Sequence, residues 1–382
     1  MSVYAESSPY RECSRCVMDT TVPDITFDLS GRCNYCRMAE ERLNKELYSG
    51  PAHRGKLDAL IDEIKRDGKG KPYDCIIGVS GGVDSSYTAY LVKQHGLRPL
   101  AVHFDNGWNS ELAVENIERL LKKLDIDLYT HVVDWEEFKD LQLAFLKASV
   151  ANSEIPTDHG ITAVMFRQAA KHNVKYIVTG GNLATETIMP SSWMHDAKDL
   201  LFIKSIHRRY GTRPLVTFPT MSYRRLAWYI LVRRIRYVGI LNYIDYNKQQ
   251  AMDLLEKELR WRRYEDKHFE SIYTRFFQGY LLPRKFNMDK RRPHLSSLIV
   301  SGQLTREEAL QELQGHIYDP KVAAEDVTYI RRKFGLSEAE FDDIMSAPVR
   351  DTDSFANSER FLGLLAPAVR WAKDVATARG GK

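Results

Sequence analysis

Ile76-Ile77-Gly78-Val79-Ser80-Gly81-Gly82-Val83-Asp84-Ser85-Ser86 is a short apolar run that breaks into a glycine pair flanked by hydroxyls and one carboxylate, then resumes as a helical pattern. Strand, tight turn, helix start is the layout of a phosphate-binding loop. Glycines let the backbone approach an anion, and the amides at a helix N-terminus point at it with the positive end of the dipole. The stretch lacks the lysine of a GxxxxGK[ST] loop. Ser80, Gly81, Gly82, Val83, Asp84, Ser85 and Ser86 are therefore expected to hold phosphates through backbone amides and hydroxyls. Asp84 is the odd member, because a carboxylate beside phosphates is repulsive unless a divalent cation lies between them, and Mg²⁺ on Asp84 is the expectation.

Around this stretch, "DCIIGVS", "PLAVHFDNG", "DLYTHVVD" and "KYIVTGGN" are short runs rich in branched residues, each ending in polar residues or glycine. Helical patterns separate them: "DSSYTAYLVKQHG", "SELAVENIERLLKKL", "DWEEFKDLQLAFLKASV" and "ITAVMFRQAAKHN". Such alternation predicts βαβ units and a doubly wound parallel sheet, an α/β fold over roughly residues 74–182. Beyond Asn182 the strand signals fade and the chain reads as mostly helical, down to short helices at "TREEALQEL" and "SEAEFDDIM". The closing "TARGGK" reads as frayed. The expected organisation is a cysteine-bearing segment at 1–45, the α/β domain at 46–200 and a mostly helical substrate- or partner-binding region at 201–382.

The 382 residues are 43% hydrophobic and 28% charged, the makeup of an ordinary globular protein. Neither a membrane span nor the apolar core of a secretory signal is present, so a cytoplasmic location is expected. The net charge of +4 argues against nucleic acid as the main partner. The charge is uneven, however. From Leu200 to Ile244 there is no acidic residue, while nine lysines and arginines fall there. That segment faces either an anion or acids brought from elsewhere in the fold; a solvated helix face is the plainer alternative.

Of five cysteines, four form the pairs Cys13/Cys16 and Cys33/Cys36, and the fifth is Cys75 within the first strand. Two CxxC pairs at this spacing predict four thiolates on one ion, a closed structural Zn²⁺ knuckle without a catalytic role, with an iron–sulfur cluster as the alternative.

The SGGxDS[ST] loop after a first strand resembles that of the PP-loop ATP pyrophosphatases, which cleave ATP between the α and β phosphates and transfer AMP to a substrate oxygen. The resemblance implies that the loop holds the departing pyrophosphate. It also implies that Val102, His103 and Phe104 lie by the adenine, Asp105 by the ribose or metal, and Gly180 and Gly181 at the same sheet edge. Sulfur transfer would need a cysteine beyond the knuckle, and Cys75 is expected to be buried and inert. The chain lacks a spare cysteine for glutamine hydrolysis, so ammonia would come from a separate glutaminase subunit or the free pool.

A closer resemblance runs from about residue 10 to 350. "ECSRCVMDTTVPDITFDLSGRCNYC", "IIGVSGGVDSSY", "VHFDNGW", "PTDHGI", "GGNLATE" and "FESIYTRFFQGYLLPRKFNMDKRRPHLSSLI" together resemble the bacterial N-acetyl sugar amidotransferases of surface-polysaccharide synthesis. This implies conversion of an N-acetyl group of a nucleotide-linked sugar to an acetamidino group through an O-adenylated imidate. Lys204 is then a candidate to stabilise the α phosphate. Asp158 and His159, expected on a loop before a helix, are candidates to orient substrate or take a proton from ammonium. Glu186 is a candidate to ligate metal or meet ammonia. A tRNA-modifying PP-loop enzyme is the alternative.

Overall fold

The computed structural model describes residues 9–48, 50, 53, 55–264 and 269–359, so the expectation for the last six residues lies outside them. In chain order the first elements are α1 (Asn34–Glu46), α2 (Lys56–Gly68), β1 (Cys75–Gly78), α3 (Val83–Gln94), β2 (Pro99–Asp105), α4 (Glu111–Leu124) and β3 (Asp127–Val132). They are followed by α5 (Trp135–Ala148), α6 (Ile155–Lys171), β4 (Tyr176–Thr179), α7 (Leu183–Glu186), α8 (Leu200–Tyr210), α9 (Tyr223–Leu231) and β5 (Arg236–Gly239). The remainder is helical: α10 (Lys248–Leu259), α11 (Ile272–Phe276), α12 (Leu282–Phe286), α13 (Arg291–Val300), α14 (Arg306–Gln314), α15 (Pro320–Phe334) and α16 (Glu338–Ser346). A π-helical turn, Phe277–Leu281, joins α11 to α12.

The strands form one parallel sheet in the order β3-β2-β1-β4-β5. Its middle is buried on both faces, and Ile76 and Ile77 of β1 are 0% exposed. This is why β1 and β4 read as continuous apolar runs rather than alternating ones. One apolar cluster joins α2, α3, α4 and α10 to one face, and another joins α5 and α6 to the other. The chain winds from β1 out to β3 and then crosses back to place β4 on the other side of β1. The carboxyl ends of β1 and β4 therefore flank the topological switch point, where open α/β sheets bind ligands.

The structure corrects the sequence reading in two places. The strands do not end near residue 182: β5 pairs with β4 in parallel, with Arg236 opposite Tyr176 and Gly239 opposite Thr179. The sheet thus crosses the division expected at residue 200. Only Val238 of this four-residue edge strand is buried, too little to give a sequence signal. Secondly, Thr157, Asp158 and His159 lie in the first turns of α6, not on a loop before it. Gly160 is needed inside the helix. A Cβ there would stand 2.4 Å from Cζ of Phe104.

The acid-free segment is met by acids from other elements. Glu137 of α5 accepts from the backbone amides of Val216, Thr217 and Phe218, and Asp140 accepts from those of Thr212 and Arg213. Arg213 pairs with Glu136 at 3.3 Å and Arg236 with Glu63 at 2.8 Å.

Candidate active site

β1 delivers the loop to the switch point, and three local constraints shape it. Gly81 has φ +83°, and a Cβ there would lie 2.8 Å from the Ala113 carbonyl oxygen, so the position excludes side chains on both counts. The Gly81 carbonyl accepts from Trp261 Nε1 and from the Tyr264 hydroxyl, each at 2.9 Å. Ser85 Oγ donates to the Gly82 carbonyl at 3.0 Å and lies 3.1 Å from Ser80 Oγ. Gly82 is the N-cap and Val83 the first residue of α3, so the first amides of that helix, which lack intrahelical acceptors, face the loop. Ser86 departs from expectation: it is 0% exposed, which removes its hydroxyl from any bound phosphate.

Asp84, in the first turn of α3, accepts a hydrogen bond at Oδ1 from the Tyr246 hydroxyl. Burial first, then the charges of Asp84 and Glu186, keep that hydroxyl protonated. Glu186, at the end of α7, acts on the same hydroxyl through its charge. Gly180 brings the end of β4 against the same helix start; a Cβ there would lie 2.6 Å from the Asp84 carbonyl carbon. Two oxygen-bearing carboxylates beside a phosphate loop suit a hard divalent cation such as Mg²⁺.

The start of α6 presents Glu154, its N-cap, and Asp158, one helical turn apart. Asp158 is open to solvent yet ringed by protein, as on a cleft floor. Burial pushes its carboxyl up to about 6 against the pull of Lys290 and Lys198. Glu154 is pushed up to about 7 by burial and by Asp158, while Lys290 opposes the rise. The Thr274 hydroxyl donates to Glu154. Glu270 completes the rim, its carboxylate 3.7 Å from where a Gly82 side chain would begin. The segment bearing it is fixed by Ser110 N donating to the Glu270 carbonyl and Ile272 N donating to that of Trp108.

The other expected residues fall outside this convergence. His103 Nδ1 donates to the Val79 carbonyl at 2.9 Å, and Nε2 accepts from Asn109 Nδ2 at 3.0 Å. His159 is likewise committed: Nδ1 donates to the Ala197 carbonyl at 2.7 Å and Nε2 accepts from Met221 N at 2.9 Å, while burial lowers its pKa. With both nitrogens occupied, His159 has no free site for a proton or for substrate. Val102 is buried, and Phe104 stacks on His131 with ring centroids 5.6 Å apart. Asp105 accepts from Gly107 N and Asn109 Nδ2. Gly181 is exposed at the end of β4. Lys204 stands exposed on α8, whose buried face packs on α5, and it has no hydrogen-bond or ion-pair partner among the described residues. Sequence reading missed Tyr246, Trp261, Tyr264, Glu270 and Glu154, each far in sequence from the loop or outside any motif.

The four cysteines cluster as expected. Four thiolates about 2.3 Å from one tetrahedral ion stand about 3.8 Å apart. Here Cys13 and Cys36 sulfurs are 3.8 Å apart, those of Cys16 and Cys33 3.7 Å, and all four lie within 4.8 Å of one another. This spacing suits a single ion, and the thiols are buried without a disulfide. The knuckle is clamped to the helical region. Arg306 Nε donates to the carbonyls of Cys13 and Cys16, Arg292 to that of Val17, and Val17 N donates to Ser296 Oγ.

A parallel sheet with a lysine-free glycine loop at its switch point is a layout that suits the binding of phosphate groups. Residues 74–177 match the family model described as queuosine biosynthesis protein QueC, and residues 270–368 match that of the LPS biosynthesis protein WbpG-like, C-terminal domain. Residues 74–177 are thus similar to the PP-loop ATP pyrophosphatases, whose members are ATP-using enzymes, and residues 270–368 to a WbpG-like C-terminal domain. It is 31% identical over 182 residues to the glutamine-hydrolyzing GMP synthase of Pyrobaculum aerophilum, covering 47% of this chain and 34% of that protein. It is 25% identical over 118 residues to the tRNA-specific 2-thiouridylase MnmA 2 of Fusobacterium nucleatum, covering 29% and 34%. The chain thus spans about a third of the length of these relatives. Among solved structures, the NH3-dependent NAD synthetase of Campylobacter jejuni aligns with a TM-score of 0.30 at 14% identity, covering 76% of this chain and 96% of that one. Among the described residues, no helix is long and apolar enough to cross a membrane.

Proposed function

We propose that this protein is an ATP-dependent amidotransferase that converts an N-acetyl group of a sugar to an acetamidino group in bacterial surface-polysaccharide synthesis. The observation that carries the reading is where the WbpG-like segment meets the phosphate loop. Glu270, Thr274 and Lys290 all come from that segment, and they rim the cleft that holds Gly82 and Glu154. That a segment similar to an LPS-biosynthesis domain comes beside the loop supports this reading.

In this reading Ser80, Ser85 and the amides from Gly82 onward hold the β and γ phosphates, and Asp84 with Glu186 holds Mg²⁺. That ion would neutralise phosphate charge. The amide oxygen attacks the α phosphate, releasing pyrophosphate and leaving an O-adenylated imidate. Ammonia adds to the imidate carbon, and AMP departs with the former amide oxygen. Glu154 and Asp158, whose pKa values lie near the working pH, take the proton from ammonium. Lys290, which acts on both carboxylates, meets the developing negative charge. Ammonia comes from a separate glutaminase in the cytoplasm. The Cys₄ knuckle holds Zn²⁺ and braces the C-terminal region; its sulfurs are too close together to surround a four-iron cluster.

A tRNA thiolase is the second reading, favoured by the similarity to a 2-thiouridylase. It lacks a sulfur carrier, since Cys75 is 0% exposed and burial drives its thiol pKa up. The test is to incubate the protein with ATP, Mg²⁺, ammonium and a panel of N-acetylated sugars and nucleotide-sugars, with mass spectrometry of the products. A sugar product carrying NH in place of O, with equal AMP and pyrophosphate, is expected. Product only on addition of tRNA and a sulfur donor would replace this reading with the second.

A further inference from the structure

Acids from other elements take up Arg213 and Arg236 of the acid-free segment, but not all of its cations. Arg224, Arg225 and Arg234 stand exposed, and none of their guanidinium groups has a hydrogen-bond or ion-pair partner among the described residues. They flank an apolar tip. Trp228, Ile230, Leu231 and Val232, at the end of α9 and in the turn after it, are 39%, 46%, 75% and 64% exposed. Single exposed apolar side chains are ordinary on a protein surface, but four within the five residues from Trp228 to Val232 are not. The inner face of α9 is already packed: Tyr229 is buried and stacks on Phe166 of α6, ring centroids 5.6 Å apart. The outer face, which Arg224, Trp228 and Leu231 share by helical spacing, has no cover among the described residues.

The guanidinium of Arg225 lies 4.9 Å over the Trp228 ring and that of Arg233 5.8 Å from it. An indole beside cations, next to aliphatic side chains that stand clear of the surface, matches the chemistry of a bilayer boundary. There the ring and the aliphatic groups sink among the headgroups while the cations stay level with the phosphates. A second copy of the chain fits this face poorly. Residues 200–244 hold no acid, so pairing two such faces would set arginine against arginine. A surface bearing phosphates removes that repulsion and supplies counter-ions to Arg224, Arg225 and Arg234.

The tip also lies at the far edge of the sheet from the loop. β5 begins at Arg236, opposite Tyr176 at the start of β4, so the turn carrying Val232 and Arg234 stands at the amino edge, whereas the phosphate loop stands at the carboxyl edge. Arg233 donates to the Ala170 carbonyl at 2.9 Å and Lys71 Nζ to that of Asn173 at 2.8 Å, which ties the tip to the end of α6, where Lys171 adds an exposed cation. Glu63 and Asp67, acids of α2 at the same edge, are engaged by Arg236 at 2.8 Å and Lys175 at 3.3 Å. We propose that this tip docks the protein on the anionic surface of a phospholipid membrane. Trp228, Leu231 and Val232 enter the headgroup layer, and Arg224, Arg225 and Arg234 meet lipid phosphates. The loop at the opposite edge stays open to ATP, and docking does not depend on which reaction the cleft performs.

The test is co-sedimentation of the whole protein with sucrose-loaded vesicles of phosphatidylcholine, alone or mixed in equal parts with phosphatidylglycerol, at low and at high salt. The protein is expected to sediment with the mixed vesicles at low salt, and far less with neutral vesicles or at high salt. Replacing Arg224, Arg225 and Arg234 together by glutamine should weaken binding about a hundredfold. Leu231→Ser combined with Val232→Ser should weaken it about tenfold. All five side chains are exposed, so both variants should keep the wild-type thermal midpoint, which separates lost docking from unfolding. Absence of sedimentation with the mixed vesicles, equal sedimentation with neutral ones, or unchanged binding in both variants would overturn the proposal. So would a dimer in sedimentation velocity that the Leu231→Ser, Val232→Ser variant dissolves, which gives the face to a second copy. Binding of poly-glutamate without binding of vesicles would likewise overturn it and give the face to an acidic protein.

Discussion

Replacing Glu154 by glutamine should stabilise the protein at alkaline pH while removing activity. Burial and Asp158 raise the Glu154 carboxyl from its ordinary 4.5 to about 7. Between those values the native state holds a proton that the unfolded chain has released. Stability from this group is therefore fully present at low pH and is lost as pH rises through 7. The rise from 4.5 to about 7, at about 1.4 kcal/mol per pH unit, sets a ceiling of about 3.5 kcal/mol on the ionisation penalty, most of it appearing between pH 5 and pH 8. Water in the cleft reduces this, so about 1–3 kcal/mol is the expected range. Glutamine keeps the oxygen that accepts from Thr274 and cannot ionise. Thermal midpoints of wild type and Glu154→Gln, measured from pH 5 to pH 8.5, should diverge, with the variant higher at the alkaline end. In the same variant, AMP formation should fall at least a hundredfold. Parallel midpoint curves across the range would refute the reasoning about the cleft, whatever happened to activity.

Three further outcomes follow from the loop and the knuckle. Asp84→Ala should lower pyrophosphate release by at least a hundredfold with the circular dichroism spectrum retained, and full activity would remove Asp84 from the site. Gly81→Ala, strained by its positive φ and by the Ala113 carbonyl, should cost about 1–3 kcal/mol and weaken ATP binding in a filter or calorimetric assay; wild-type affinity and midpoint would contradict the geometry. Cys33→Ser should release the bound metal measured by elemental analysis and lower the thermal midpoint, because the knuckle clamps the start of α13 through Arg292 and Ser296. A metal-free variant with an unchanged midpoint would falsify its structural role.

Much of the fold was legible because its signals are local. β1, β2 and β4 are buried on both faces, so their branched residues stand together in sequence. The capping boxes at Thr305 and Glu308 and at Ser337 and Glu340 announce α14 and α16 within four residues each. β5 was not legible, because a four-residue edge strand with one buried residue has no pattern to show. α6 begins at Ile155, earlier than expected, and the Gly160 inside it is required by the Phe104 ring packed against it.

The sequence by itself determined the phosphate loop and the four-thiolate knuckle. Both are chemistry carried by closely spaced residues, glycines and hydroxyls in one and paired CxxC motifs in the other. Tertiary structure alone decided the histidines and the carboxylates. His103 and His159 are spent on backbone groups supplied by other segments, while Glu154, an unremarked acid before a proline, is driven toward neutrality by burial and by Asp158. Tyr246, Trp261 and Tyr264 reach the loop across more than 160 residues, as do Glu270 and Lys290 to its cleft. The charge state and free valence of a side chain depend on what packs around it, and that is set by the fold.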